Sequence, residues 1–472
     1  MSTEEKPAIV FKKDIVSKKK TVSFGMGFII NAFLTTSYNY FVFYYYEVEL
    51  GLATALVGLS YALYAIWNMI NDPLFGYLTD KPTRWSKKYG LRTPWVIFGG
   101  FGVISCSYLL FAVPDFGDVK SNPWPLFWYM IIITFLYDTF YTIFSTHYFG
   151  GFANIFRTPE ERRKGSTIGS LIAIGARTSV FGILLPTIII RGDPSSYIRA
   201  MLILTILSFI LLGLLIPGIY ENEFVRKRYL QIYEFLEATR LPYFKFIKIT
   251  FKQKNFMILL IAFVLFSTAG LIQTWSVLYF VFEVLKADLS VLILVGIANL
   301  SAFLISMPIW SKIAKKTDHS KIFAVGIFLI GCTMVQAMWI TTVPQFILMN
   351  MSGGVAMGAG FCVAMSVNSD ALDEVNLACG RHVEAGLMGL RNFFLRSGYL
   401  TAALLIAWVH IATGYQPGAS EQTELAKLGI RIHFGLFSAI FCWIAAFLLY
   451  KVYDLRGEKK EAQMAALRKK GL

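Results

Sequence analysis

Long apolar stretches follow one another along almost the whole chain, separated by short polar connections. A helix that crosses a bilayer needs about 20 predominantly apolar residues. Stretches that meet this requirement lie near 22–46, 54–79, 94–113, 124–150, 166–190, 196–219, 256–282, 289–311, 321–341, 345–371, 384–412 and 430–451. The pattern therefore predicts an all-α membrane protein with twelve transmembrane helices.

Composition excludes an ordinary soluble protein. Apolar residues make up 56% of the 472 positions, whereas soluble domains use about 45–50%, and the mean hydropathy is +0.58. The net charge of +15 would suggest a nucleic-acid partner in a soluble chain, but here the positions of the 44 Lys and Arg residues give it another meaning. Thirty-five of them lie in the tails and in alternate connections, and six lie on the opposite side. This asymmetry predicts cytoplasmic termini in a multi-pass plasma-membrane protein, with lipid and no nucleic acid as its partner.

Cysteine and histidine spacing argues against a metal centre or an enzyme. The five cysteines are scattered without a C-x-x-C pair, so we expect neither disulfides nor a bound metal. The histidines show no ligand spacing beside an acid; they are His147, His319, His382, His410 and His433. The first apolar segment is too long for a secretory signal and is expected to remain as the first helix.

An acid interrupts the second apolar stretch. Asp72 follows about twenty uncharged residues, and charging it at the bilayer centre would cost roughly 2.5 kcal/mol or more. Pro73 would free a backbone carbonyl one turn earlier. Carboxylate, carbonyl and the amide of Asn71 together suit a hard cation. Asp72 is either a buried carboxyl that only packs helices or a binding site for a cation or proton. We predict that it is a binding site.

A second buried acid lies in the fourth stretch. Asp138, Tyr141, Thr142 and Ser145 fall on one helical face, which should line a water-filled cavity or contact another helix. We predict cation coupling by Asp72, Asn71, Asn68, Asp138 and Thr142. Candidate substrate contacts are Asn31, Tyr38, Ser145, Tyr148, Arg177, Arg391 and Arg396, of which Tyr38 belongs to an aromatic run that also suits the membrane interface.

The two halves of the chain repeat each other weakly. Arg177 follows Arg162 by fifteen residues, and Arg396 follows Arg381 by the same interval. Duplicated bundles are common in transporters. We therefore predict two pseudo-symmetric six-helix bundles at 21–220 and 255–453, a cytoplasmic linker at 221–254, and cytoplasmic tails at 1–20 and 454–472.

The loop after the second stretch resembles the signature loop of the major facilitator superfamily. It reads Gly76-x-x-x-Asp80-x-x-x-Arg84, followed by two lysines. A charged turn on the cytoplasmic side would account for the lysines but not for the glycine-to-aspartate spacing. The resemblance implies a cytoplasmic latch between helices, formed by Gly76, Asp80, Arg84, Arg162, Asp370, Asp373 and Glu384.

Further motifs resemble the glycoside-pentoside-hexuronide:cation symporter family, to which melibiose permease belongs. They are the run Trp67-x-x-x-Asn71-Asp72-Pro73-x-x-Gly76, the aromatic Tyr44-Tyr45-Tyr46, the Glu161-Arg162 loop, and Asp370-x-x-Asp373 with Glu384 and Arg396. The resemblance implies a cation site at Asp72 and Asn71, with Thr142 nearby, and a cationic substrate group at Arg396. Asn68 departs from the family's second acid, and Ala32 and Ser145 stand where melibiose permease has sugar-binding aspartates. Asp138 is a candidate replacement.

These observations predict a monomeric secondary transporter that couples Na⁺ or H⁺ to a small solute, with no other cofactor. Three predicted intramembrane arginines against two acids favour an anionic sugar derivative, such as a uronic acid or glucuronide. The wider group includes a lysophospholipid symporter, so a lysolipid is an alternative solute. A receptor or scaffold that does not transport is the alternative from another class.

Overall fold

The computed structural model describes residues 16–79, 89–90, 92–156, 184–221, 243–380 and 384–470, with single positions and pairs between 161 and 181. The described residues form helices and the turns between them, with no strand among them. This agrees with the all-α prediction.

Eleven long helices carry the described part of the chain. They are α1 (Lys18–Ser37), α2 (Thr54–Thr79), α3 (Thr93–Leu109), α4 (Trp124–Ile155), α5 (Pro194–Ile219), α6 (Lys254–Val284), α7 (Val291–Ala314), α8 (His319–Met338), α9 (Val343–Cys379), α10 (Glu384–Ala412) and α11 (Glu424–Val452). α1 continues through π-helical turns at Tyr38–Val42 and Tyr45–Glu49. Shorter helices cover Leu185–Ile188, Tyr243–Thr250 and Gly457–Lys470.

Eight of these helices are long and apolar enough to cross a membrane, namely α4 to α11. α3 is apolar but has only 17 residues. The described residues of the predicted stretch at 166–190 are interrupted by ten undescribed positions. The structure thus confirms a multi-helix membrane protein, while the count of twelve helices in two bundles stays a prediction.

Local sequence explains where several helices begin. The side chain of Asp193 accepts a hydrogen bond from the backbone of Ser195 at 3.0 Å, and Pro194 occupies the first turn of α5. Thr342 and Gln345 form a reciprocal capping box at the start of α9. Such caps satisfy backbone N–H groups that have no partner within the helix.

Helix packing places α2 between helices from distant parts of the chain. α2 packs against α4 and also against α10, which lies more than 300 residues further on. α1 packs on α5, and α3 packs on α4 and α5. In the second half, α6 packs on α10 and α11, and α9 packs on α7 and α8. α2 and α10 therefore bring Asp72 of the first half close to Arg396 of the second.

The segment expected as a C-terminal tail contains the helix Gly457–Lys470, which packs on α9. Lys460 forms an ion pair with Asp370, and the side chain of Gln463 donates to the backbone carbonyl of Asp370 at 2.8 Å. Just before this helix, hydrogen bonds from Lys459, Lys254 and Asn255 hold the pKa of Asp454 well below its ordinary value.

Candidate functional site

Asp138 is the most deeply buried acid of the predicted site. Its side chain is 1% exposed, and it lies on α4 opposite α2. Asn68 donates an amide hydrogen to one carboxylate oxygen, and Asn71 donates to the other at 2.8 Å. Asn68 and Asn71 are three residues apart, so they share one face of α2. The two amides replace the water that this carboxylate loses on burial.

Thr142 connects Asp138 to Asp72. Asn71 donates to the hydroxyl of Thr142 at 3.1 Å, and this hydroxyl donates to Oδ1 of Asp72 at 2.7 Å. Thr142 lies one helical turn after Asp138 on α4. The two acids therefore belong to one hydrogen-bonded network between α2 and α4.

Arg396 joins this network from α10. Its Nε and Nη2 atoms donate to Oδ2 of Asp72 at 3.2 and 3.0 Å. The side chains of Arg396 and Asp72 remain 21% and 26% exposed, respectively. The guanidinium carbon lies 5.6 Å from the ring centre of Tyr399, which adds a cation–π contact. One carboxylate oxygen of Asp72 thus accepts a hydrogen bond from the first half of the chain, and the other accepts from the second half.

The oxygen donors of the network are of the kind that binds a hard cation. Oδ1 of Asn68 and Oδ1 of Asn71 are buried and have no hydrogen-bond partner, although buried polar atoms are nearly always paired. Two free amide oxygens, a hydroxyl and two carboxylates are oxygen donors of the type that hard cations prefer. The orientation of the Asn68 and Asn71 side-chain amides is set by Asp138. Its carboxylate oxygens can only accept, so each Nδ2 faces one of them and each Oδ1 is left free. Na⁺ would be held by these residues, and a proton would be held by either carboxylate.

The residues predicted to contact substrate lie in different surroundings. Asn31 accepts a hydrogen bond from Tyr141 at 2.9 Å and is half-buried. The hydroxyl of Ser145 lies 3.5 Å from the carbonyl of Thr142 in its own helix. Tyr148 is fully buried and donates to the carbonyl of Phe24 at 2.7 Å, which ties α4 to α1. This contact gives Tyr148 a role in the packing of the two helices.

Arg391 is not brought to the acids. It donates to Asn368 at 3.1 Å and lies over the ring of Phe263 at 5.5 Å. Arg177 lies outside the described residues. Among the residues that the structure describes, the site therefore contains Asp72, Asp138 and Arg396, and the expected excess of positive charge is not present there.

The sequence analysis named Tyr38 but missed the other members of an aromatic cluster beside Arg396. Tyr38 lies in it, stacked on Tyr137 at 5.1 Å between ring centres. Tyr64 contacts Tyr38 at 5.3 Å and Tyr399 at 5.9 Å, and Tyr399 contacts Trp275 at 5.7 Å. Helical spacing could have indicated two of these residues. Tyr64 lies one turn before Asn68, and Tyr399 lies three residues after Arg396, so each shares a helical face with a residue of the site.

The predicted latch is only partly described. Asp80, Arg84 and Arg162 lie outside the described residues, as does the side chain of Glu384 at the start of α10. Gly76 belongs to α2, while Asp370 and Asp373 belong to α9, where Asp370 binds the C-terminal helix. The latch stays a prediction.

A bundle of apolar helices with a buried ionic network shared between its halves is typical of a secondary membrane transporter. The family described as MFS/sugar transport protein matches residues 23–457, and the chain belongs to it. This confirms the resemblance found in the sequence, and it confirms that the protein is a transporter rather than an enzyme.

Individual relatives are distant but extend over most of the chain. A protein of Escherichia coli, YagG, which carries the name of a glycoside/cation symporter, is 20% identical over 459 residues, covering 95% of this chain and 94% of its own. The sodium-dependent lysophosphatidylcholine symporter 1 of Mus musculus is 21% identical, with coverages of 85% and 79%. The fold is also similar to a crystal structure of the peptide transporter POT with sulfate, with a TM-score of 0.63, 12% identity, and coverages of 92% and 94%.

Proposed function

We propose that this protein is a cation-coupled symporter of a sugar or glycoside that works by alternating access, built as two six-helix bundles with both termini in the cytoplasm. The observation that carries the proposal is the position of Asp72. One of its oxygens accepts from Thr142 on the cation side of the network, and the other accepts from Arg396 on α10. The family description and the name of the Escherichia coli relative support a sugar or glycoside as solute.

The geometry supports a specific coupling mechanism. Asp72 holds Arg396 while no cation is bound, because the ion pair compensates both charges. A cation that binds Asp72, Asp138 and the free amide oxygens would weaken the attraction between Asp72 and Arg396. The guanidinium would then be free to donate to the hydroxyl or acidic oxygens of a solute. Cation binding thus prepares the solute site, which is the requirement for symport.

The aromatic cluster supports the same class of solute. Tyr399 lies beside Arg396, and Tyr64 and Trp275 contact Tyr399 with ring centres 5.9 and 5.7 Å away. Aromatic faces pack against the apolar faces of sugar rings, while the guanidinium binds polar substituents.

Uptake into proteoliposomes tests the proposal. Labelled glycosides should accumulate when an inward Na⁺ or H⁺ gradient is imposed, and only equilibrate without one. Asp72→Asn should insert and fold, because it preserves the shape of the side chain, but it should abolish accumulation. Normal gradient-driven accumulation in this variant would refute the assignment of Asp72.

A lysophospholipid is the second candidate solute, favoured by the relative from Mus musculus. Arg396 would then bind the phosphate in place of a sugar substituent. A lysolipid that displaces a bound glycoside completely at equal concentration, and is itself accumulated, would favour this alternative over the sugar.

A further inference from the structure

A buried polar cluster lies away from the Asp72 network, where the C-terminal ends of α6 and α10 meet the π-helical continuation of α1. We call it the seam cluster; it consists of Glu47, Thr54, Tyr279, His410 and His433. Glu47 and His433 are 0% exposed and His410 is 1% exposed. Glu47 and Thr54 belong to the first half of the chain, whereas Tyr279 and both histidines belong to the second. The cluster therefore joins the two halves.

The contacts form a continuous chain through Glu47. Thr54 donates to Oε1 of Glu47 at 2.6 Å, and Tyr279 donates to Oε2. Nδ1 of His410 lies 3.0 Å from Oε1 of Glu47. On its other side, Nε2 of His410 lies 3.1 Å from Nε2 of His433. Nδ1 of His433 is buried without a hydrogen-bond partner.

Proton counting shows what these contacts require. A carboxylate and two neutral imidazoles would leave a full negative charge in a fully buried place, which is strongly unfavourable without a counter-charge. One added proton makes the cluster neutral, whether His410 holds it as an imidazolium or Glu47 holds it as an acid. In such a coupled group the proton belongs to the cluster and not to one residue.

Neighbouring charges do not supply the missing counter-charge. Arg191 forms an ion pair with Glu283, and Lys427 pairs with Glu424 at 2.7 Å. The groups that contact Glu47 from α2, α6 and α10 are Thr54, Tyr279 and His410. Tyr415 packs on His410 at 4.3 Å, and Tyr44 packs on Tyr279 at 5.1 Å, and both are neutral groups. Lys286 interacts electrostatically with Glu283, and Arg431, two residues before His433, donates to the backbone carbonyls of Ala337 and Ile340 at 2.8 and 2.6 Å.

We infer that the seam cluster is a proton-binding site, which holds one proton while the halves are in contact and releases it when they separate. Opening would hydrate Glu47, and water would then stabilise its carboxylate without a counter-charge, so the open form would no longer need the proton. A metal does not fit this cluster, because His410 contacts Glu47 with one ring nitrogen and His433 with the other, so the three side chains form a chain and do not converge on one point. This inference rests on the proposed function in one respect, because separation of the halves at the seam is a step of alternating access.

The preference for proton binding in one form determines how closure depends on pH. The closed seam binds the proton more tightly than the open seam, so closure is favoured at low pH and lost as pH rises. For one proton, the ratio of closed to open molecules should change by up to about tenfold per pH unit.

The test measures this ratio in full-length protein in nanodiscs without substrate. Spin labels at Lys120→Cys and Ser420→Cys, both exposed on connections of the two halves, would report the distance across the seam after the five native cysteines are replaced by serine. The short-distance population should grow as pH falls from about 8.5 to about 5.5. A wild-type population that does not change with pH would overturn the inference.

Variants separate the cluster from other titrating groups. Glu47→Gln removes the charge that requires the proton, and His410→Gln removes the base, so either variant should flatten the pH response. His319→Gln is the matched control, because His319 is hydrogen-bonded to Ser366 elsewhere in the second half, and it should keep the response. If Glu47→Gln fails to fold, His410→Gln decides; an unchanged response in a folded cluster variant would refute the site. Asp72→Asn removes an ion pair between the halves and should shift the ratio itself, but the change of the ratio with pH should persist, whether or not Asp72 couples transport to a cation.

Discussion

At the residue scale, the partners of Asp138 explain how a carboxylate can be tolerated far from water. Both of its oxygens accept amide hydrogens, from Asn68 and from Asn71. Because the carboxylate of residue 138 and the amide of residue 68 contact each other directly, exchanging acid and amide should preserve their hydrogen bond.

We therefore predict that Asn68→Asp partly restores transport to Asp138→Asn. The single variant Asp138→Asn should lose accumulation, since it leaves Asn68 and Asn71 facing an amide instead of a carboxylate. The double variant returns one carboxylate to the same position in the network. Initial rates of gradient-driven uptake in proteoliposomes would measure the recovery. If the double variant transports no faster than Asp138→Asn, the two positions are not interchangeable.

At the element scale, glycines set how closely helices approach. Gly354 on α9 lies against α7, and a Cβ at this position would be 2.2 Å from the carbonyl oxygen of Asn299. A Cβ on the adjacent Gly353 would have its nearest neighbour, Oγ1 of Thr333, at an ordinary 3.6 Å. The two neighbours therefore have different roles, although both weaken an isolated helix to the same degree.

Gly354→Ala should destabilise the protein by about 1–3 kcal/mol, because the α7–α9 pair must separate to make room for the methyl group. Gly353→Ala should be neutral or stabilising by up to about 1 kcal/mol, since alanine has the higher helix propensity. Thermal unfolding of the purified variants in one detergent would compare them. Equal melting temperatures for the two would contradict the close approach.

At the scale of the whole molecule, the ion pair between Asp72 and Arg396 connects the halves at one level and the seam cluster connects them at another. Asp72 and Arg396 are 324 residues apart. Any movement of α10 relative to α2 must break or exchange this pair. In the proposed mechanism a cation at Asp72 releases Arg396, so the solute preference should depend on Arg396.

Competition assays should show a carboxylated sugar displacing labelled solute better than its neutral parent sugar does. A charged hydrogen bond contributes about 1.5–3 kcal/mol, so the preference should be about tenfold or more. Arg396→Gln should abolish the preference, whereas Arg391→Gln is the control and should keep it, because Arg391 is bonded to Asn368 instead. Equal displacement by both sugars in the wild type would exclude an anionic preference.

The sequence by itself determined the class of the protein. Apolar length identified its membrane helices, because a bilayer imposes a minimum span that is visible along the chain. The run around Asn71 and Asp72 identified the family, and local caps such as Asp193 fixed helix starts. The charge excess expected from Arg391 was not found at the acids, since helical position alone does not say which neighbour a long side chain meets.

Only the tertiary structure decided which buried polar groups are partners. Glu47 and His410 are 363 residues apart and are in contact, and His433 completes their chain. No spacing along the sequence indicated this cluster, because its members come from helices that meet only when the two halves pack together. Asn68, Asp138 and Arg396 are likewise assembled from three helices. In a membrane, each buried polar group must find its partner within the protein, and helix packing determines which partner is within reach.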